Sequence, residues 1–510
     1  MSKYYGATIA DIDCDGRYDL FLSNHGNNVE WYYSEGHNMF KSKDPRLYLH
    51  DVHGTAAADM DNDGMMDVVV AIGGSGGRKP GLPIYFKVNE DKTFRKDAGT
   101  SFGFGKETMR GRCPTFLDID HDGDLDLVFL NQDKLDDPRG NYVYENMGRG
   151  KFRLRENTGL EFIGGWTHTL IDYNNDGNLD FLVFHLRTLE VYAGTGSFKF
   201  VRQENVFPAN RVWRTTSVAE IDYDNDGDFD LFLARGFPGR YNIPNTLLEN
   251  RGGKYVDVTS KTNLGLLGHN GHVTYGDFNN DGYIDLYLTV NTDYNTRRQN
   301  DIMLLSRKGM DFVQVKNTGT ESQNQYEDGN NSIAFDFDLD GKVDILSGMR
   351  NSTWNLYRNQ TPPGNRHYVI VRVGRPTAIN LNPKLKRSPM GAVVTVVTKN
   401  KKFMRRVTTP GRSHSQAFMD TLHFGLGQEK QIKSIIVDYM GGVRLVREIG
   451  LSVDKIITIG KVCKCPKGTN GPKCKLTHPK CSLKRCGGQR CERMFFKNNK
   501  NTIYYCIVGR

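Results

Sequence analysis

Asp11-Ile12-Asp13-Cys14-Asp15-Gly16-Arg17-Tyr18-Asp19 carries carboxylates at positions 1, 3, 5 and 9 around a glycine at position 6, and the chain repeats that pattern seven times. The oxygen-bearing residues are Asp11, Asp13, Asp15 and Asp19; Asp59, Asp61, Asp63 and Asp67; Asp118, Asp120, Asp122 and Asp126; Asp172, Asn174, Asp176 and Asp180. They continue with Asp222, Asp224, Asp226 and Asp230; Asp277, Asn279, Asp281 and Asp285; and Asp336, Asp338, Asp340 and Asp344. Such side chains converge on one centre, the glycine permits the sharp turn, and the carbonyl at position 7 completes an oxygen cage for a hard cation. Without a cation, the packed carboxylates repel one another. The chemistry predicted is Ca2+ binding at up to seven sites, mainly structural, at the weak affinity of extracellular modules. An EF-hand is excluded, because position 12 is Leu22, Val70, Phe129, Val183, Leu233, Leu288 or Ser347 and never Glu. The alternative of acidic turns that merely face water does not account for seven copies without a lapse at positions 5, 6 and 9.

The loops start at intervals of 48, 59, 54, 50, 55 and 59 residues, the period of a propeller blade. A short alternating segment precedes each loop, and an apolar run such as DLFL or DVVV follows it, so each loop joins two strands. A weaker repeat, seen in NYVYENMGRGKF from Asn141, NTLLENRGGKY from Asn245 and WNLYRNQ from Trp354, supplies two more. The expected fold is all-β: a seven-bladed β-propeller over residues 1–360, a small β-domain over 361–460 and a basic, disulfide-rich tail over 461–510. After Trp354–Arg358 the chain runs into Pro362-Pro363, so the seventh blade is expected to lack its fourth strand. That shortage suggests that Met1 is internal to a longer precursor holding a signal peptide and a closing strand.

Beyond the repeats stand GAVVTVV at 391–397, then Gly411-Arg412-Ser413-His414-Ser415-Gln416, HFGLG at 423–427 and IIVDYMGGVRLV from Ile435. The acidic loops resemble the FG-GAP (VCBS-type) loops of integrin α-chains and of the cartilage acidic protein family. The later segments are similar to the ASPIC/UnbV domain that follows the propeller in the latter family and is absent from integrins. Asp438-Tyr439-Met440-Gly441-Gly442 departs from that family's usual W-P-D-G type of turn. CKCPKGTNGPKC from Cys463 resembles the closing half of an EGF-like module, a resemblance that implies pairing of Cys465 with Cys474. The earlier cysteines of such a module are missing. Seven of the nine cysteines fall in the last 48 residues, so one is free or joined elsewhere; the density suits an oxidising compartment, with a zinc site as the competing reading. The resemblance implies an extracellular, calcium-binding protein and names no activity.

Charge adds a partner class. The net charge is +9 although positions 1, 3, 5 and 9 of the loops alone hold 26 of the 59 acids. Residues 461–510 carry 13 Lys/Arg against Glu492, and a second basic stretch comprises Lys384, Lys386, Arg387, Lys399, Lys401, Lys402, Arg405 and Arg406. Both are read as surfaces for sulfated glycans or other polyanions, or for protein partners, with no nucleic-acid motif present. Three sequons, at Asn330, Asn351 and Asn359, are compatible with secretion. No apolar run approaches the roughly 18 residues of a membrane span. G-x-S-x-G, H-E-x-x-H and a P-loop are absent, and His53, His168 and His272 ahead of three loops are read as blade packing rather than catalysis. The function expected is that of a secreted matrix or cell-surface binding module, of undetermined oligomeric state; the alternative is a lyase-like carbohydrate-active enzyme working at the propeller face.

Overall fold

The computed structural model describes residues 6–462 apart from 24–28, 37–38, 43–48, 50, 74–79, 90, 98, 107, 132–139, 162, 166, 186–187, 209–211, 237–242, 266–269, 291–299, 322–328, 350–353, 363, 377–385 and 410–413, and then 490–496 and 499–507. Short β-branched and aromatic runs bounded by the acidic turns fold as antiparallel meanders. The first sheet is Ala7–Ala10, Asp19–Leu22, Glu30–Gly36 and Met39–Ser42, paired in chain order. Five further four-stranded sheets follow, starting at Val52–Ala58, Gly111–Leu117, Thr167–Ile171, Thr215–Ile221 and Asn270–Gly276. A seventh, Gly329–Phe335, Asp344–Met349 and Trp354–Tyr357, has three strands among the described residues, as the sequence leads one to expect. In every sheet the acidic loop joins the first strand to the second.

Apolar clusters stitch the sheets into a ring. One cluster joins sheets one to three through residues such as Phe21, Val69 and Phe129. Others join three to four, four to five, five to six and six to seven. The last packs Leu346 and Ile333 of sheet seven against Leu20 and Ile9 of sheet one. Trp31 shows the density of these joints: it is fully buried, stacks on Phe94 at 4.7 Å and meets Phe21 edge-on at 5.1 Å. Fully burying such a side chain contributes about 1.5–3 kcal/mol. The repeated antiparallel sheets are the architecture of a β-propeller.

His367–Val373 does not complete the seventh sheet. It pairs antiparallel with Thr421–Gly427 and parallel with Ile456–Ile459, opening a second β-domain. The other sheet of that domain runs Lys402–Arg406, Val393–Val397, Gln431–Tyr439, Val443–Ser452, Arg490–Phe496, Asn499–Ile507. The hairpin at 490–507 thus extends the domain sheet, which the expected boundary at residue 460 had left out. Cys14 is disulfide-bonded to a partner outside the described side chains, whereas Cys113 is not, its thiol lying 3.4 Å from Thr167 Oγ1. The proposed Cys465–Cys474 pair and most of the EGF-like segment lie outside the described residues.

Candidate metal centres

Each acidic loop is built by its own carboxylates before any ion is considered. Position 1 accepts the N–H of the glycine at position 6, as in Gly16 to Asp11 at 3.0 Å and Gly282 to Asp277 at 2.7 Å. Position 3 accepts from position 5, and position 5 from position 7, for example Asp63 to Asp61 at 3.3 Å and Met65 to Asp63 at 2.8 Å. The glycines have φ between +86° and +101°. Position 4 is left-handed as well, with φ of 56–63° at Cys14, Asn62, His121, Asn175, Asn225, Asn280 and Leu339. Asparagine tolerates that conformation, which explains its four appearances.

Position 9 does a different job from the one expected. Asp126 accepts Ile119 N–H at 2.9 Å on one oxygen and Asn146 N–H at 2.8 Å on the other. Asp19, Asp180, Asp285 and Asp344 tie the loop to the third strand in the same way. Position 9 is therefore a strut first and a ligand second. Asn146, Asn250 and Asn359, the asparagines of the weaker repeat, then pass their side-chain N–H to the position-2 carbonyls of Met60, Tyr173 and Phe278 in the preceding sheet. Asn359 is thereby occupied as a hydrogen-bond donor rather than displayed as a glycan acceptor; Asn351 and the Asn330 side chain lie outside the described residues.

Among the described residues, five loops bring three carboxylate oxygens within 4.8 Å of one another: Asp11, Asp13, Asp15; Asp59, Asp61, Asp63; Asp118, Asp120, Asp122; Asp222, Asp224, Asp230; and Asp336, Asp338, Asp344. In the other two, Asn174 and Asn279 put a neutral amide oxygen at position 3. The second oxygens of Asp11, Asp59 and Asp118 are buried with no hydrogen-bond donor. Burial pushes Asp59 up to about 6, Asp118, Asp222 and Asp277 to about 7, and Asp336 to about 8. A divalent cation would supply the missing partner and restore the ionised state, so the donor set fits Ca2+.

The second β-domain sits on this same face and reaches all seven loops. Tyr18 of loop one accepts from Thr421 N at 2.8 Å, and Arg375 stands 3.8 Å from Asp59 of loop two. Ser388 N donates to Asp118 at 3.4 Å, while Lys386 and Arg387 bond Asp124 and the carbonyl of His121. Gly441 N donates to Gly177 O at 3.0 Å in loop four. Arg405 faces Asp222 and Asp277 of loops five and six, Gly427 N donates to Asn280 O, and His423 Nε2 is 3.0 Å from Gly341 O in loop seven. The Gly-Gly turn that departs from the family pattern is thus a docking contact: a Cβ on Gly441 would meet His121 Cγ at 2.6 Å. Gly425 of the HFGLG string is needed for the same reason, since a Cβ there would lie 1.9 Å from Asp277 Oδ2.

Ser415 and Gln416 reach furthest. Gln416 N donates to Thr55 O at 2.8 Å, and its side-chain amide both donates to and accepts from the Phe116 backbone, at 2.9 and 2.7 Å. Thr8 Oγ1 donates to Gln416 O at 3.1 Å. This segment therefore plugs the space between the innermost strands of the first three sheets. The basic stretch at 384–406 needs correction as a polyanion surface: Arg405 and Arg406 are buried, the latter paired bidentately with Glu220 at 2.8 and 3.2 Å, and Lys386 and Arg387 face loop three. Lys399 and Lys402 remain exposed, and Lys384 lies outside the described residues. Charge counting cannot tell a cation facing water from one facing a carboxylate. His53, His168 and His272 are buried between adjacent sheets, bonding Arg112, Thr115 and Ser332.

Fold and loops together define a propeller of acidic-loop repeats closed on its loop face by a second β-domain. The FG-GAP-like repeat family matches residues 11–70, 59–129, 118–183, 172–233 and 222–288, and the ASPIC and UnbV family matches 382–461. The chain belongs to the FG-GAP-like repeat family, and the ASPIC and UnbV segment that follows supports its kinship with the cartilage acidic proteins. Cartilage acidic protein 1 of Xenopus tropicalis is 25% identical over 374 residues, covering 66% of this chain and 54% of that protein, so the chain spans about half the length of this curated relative. Among solved structures, a lectin of Agrocybe aegerita that recognises non-reducing terminal N-acetylglucosamine is 16% identical at a TM-score of 0.42, covering 70% of this chain and 91% of its own. A fungal alcohol oxidase of the AA5 family in complex with copper is 10% identical at a TM-score of 0.46, covering 86% and 94%.

Proposed function

We propose that this chain is an extracellular, calcium-stabilised seven-bladed propeller that serves as a binding or adhesion module, engaging polyanionic glycans or matrix proteins. The observation that carries the reading is the set of buried, donorless position-1 oxygens in cages of convergent carboxylates. A divalent ion is the group that removes that cost. The name of the curated relative agrees with a matrix setting, and no helix among the described residues is long and apolar enough to cross a membrane. Because the second domain covers the loop face, the cations left to a partner lie at the rim. Lys399, Lys402 and Lys433 are exposed around the Val393–Val397 to Lys402–Arg406 hairpin, and the 13 Lys/Arg of residues 461–510 add to them.

Two readouts on one preparation test this. Melting in millimolar calcium against EGTA should show a large drop on chelation, since each site at 100 times its Kd adds about 2.7 kcal/mol. Retention on immobilised heparin should fall with salt, weaken for Lys399→Glu/Lys402→Glu/Lys433→Glu, and be largely lost on removing residues 461–510. An unchanged melting curve refutes the calcium reading; equal elution of all forms removes the polyanion surface.

A further inference from the structure

The amide that ties each loop to its third strand marks one register position in every sheet: Ser34, Val88, Asn146, Gly194, Asn250, Ser306 and Asn359 donate their N–H to Asp19, Asp67, Asp126, Asp180, Asp230, Asp285 and Asp344. The residue just before that amide varies in type around the ring: Tyr33, Lys87, Glu145, Ala193, Glu249, Leu305 and Arg358. Two of the seven are cations, and both reach the carboxylates. Lys87 Nζ lies 2.9 Å from Asp61, 2.6 Å from Asp63 and 3.5 Å from Asp67, with its side chain 14% exposed. Arg358 Nη2 lies 2.8 Å from Asp338 and 3.2 Å from Asp340.

We propose that Lys87 and Arg358 are resident cations that take the place of the divalent ion in the second and seventh loops, leaving at most five loops to bind calcium. The inference rests on the calcium reading of the other loops. An ammonium touching positions 3, 5 and 9 neutralises the oxygens a metal would need, and a metal entering loop two must first expel it. In sheets three and five the same register position is Glu145, paired with Arg153 and Arg155, or Glu249, paired with Arg251, and in four and six it is neutral, so none of these sets a cation among the loop carboxylates. Loop one differs again, since Lys92, from the next sheet, bonds Asp13 alone among the candidate ligands.

Equilibrium dialysis of the full chain against 1 mM radioactive calcium tests the count. Wild type should take up no more than five ions. Lys87→Met and Arg358→Met should each gain one, and the double variant two. The reverse graft, Leu305→Lys, installs a cation at the half-buried equivalent position beside loop six and should lose one. The graft keeps the test decisive if the methionine variants fold poorly. An equal, non-zero count in wild type, the double variant and the graft overturns the inference while leaving the calcium reading standing. No calcium in any of them removes both.

Discussion

His272 has a titration whose sign can be worked out from burial alone. It is wholly buried between sheets six and seven, accepts Ser332 N–H at 3.4 Å, and burial pushes it down to about 3. The unfolded chain keeps an ordinary value of about 6.5. A depressed histidine contributes stability above pH 6.5 and loses it as pH falls toward 3, by about 2 kcal/mol between pH 6.5 and 5. His272→Asn keeps an acceptor and removes the proton, so its urea-denaturation stability should fall by about that much less over the same range. Parallel pH profiles for variant and wild type would refute it. The buried loop carboxylates run the other way in calcium-free protein, their raised values contributing stability at acid pH that is lost as pH rises. At this scale the convergent carboxylates were legible in the sequence. The left-handed position 4 was not, because Cys14, His121 and Leu339 occupy it beside four asparagines and mask the preference.

Within one loop, position 5 and position 9 make different demands. Asp122 is solvent-exposed and accepts Asp124 N–H at 2.8 Å. Asp126 is 1% exposed and holds two amides. Asp126→Ala strands both amides and should cost about 2–4 kcal/mol with or without calcium. Asp122→Ala should cost about 1–2 kcal/mol in calcium and little in EGTA. Chemical denaturation in both buffers separates them; equal costs at the two positions in EGTA would deny position 9 its role as a strut. The strands around the loops could be read from their alternation and spacing, as could the short seventh sheet. The cross-sheet staples of Asn146, Asn250 and Asn359 were visible as a repeat, but their partners lie 86, 77 and 81 residues away and no local pattern encodes that distance.

The docking of the second domain on the loop face was the least legible feature, because its contacts are spread over separate short motifs. The HFGLG string, the Ser415-Gln416 pair and the Gly441-Gly442 turn stood out as markers, and the fold makes all three interface residues. Arg406 and Glu220 anchor this interface at 1% and 6% side-chain exposure. Arg406→Ala leaves a buried carboxylate unpaired and should cost about 3–5 kcal/mol, whereas Arg406→Met/Glu220→Met should recover most of that loss. A double variant no more stable than the single would show that the pair does not act as a unit. The position-4 side chains carry a further consequence. Asn62, His121, Asn175, Asn225 and Asn280 each bond the following loop, and Met66 N joins loop two to Ile12 O of loop one. Leu339 ends the series with an apolar side chain, at the three-stranded sheet, where sheets seven and one meet through the cluster that also holds Ala417 and Met419 of the second domain. Mechanically this is a snap ring with a clasp. Tension across the molecule should open it at that one gap once the clasp lets go, while the loop-to-loop joints elsewhere stay closed and guide the ring shut when the load is removed.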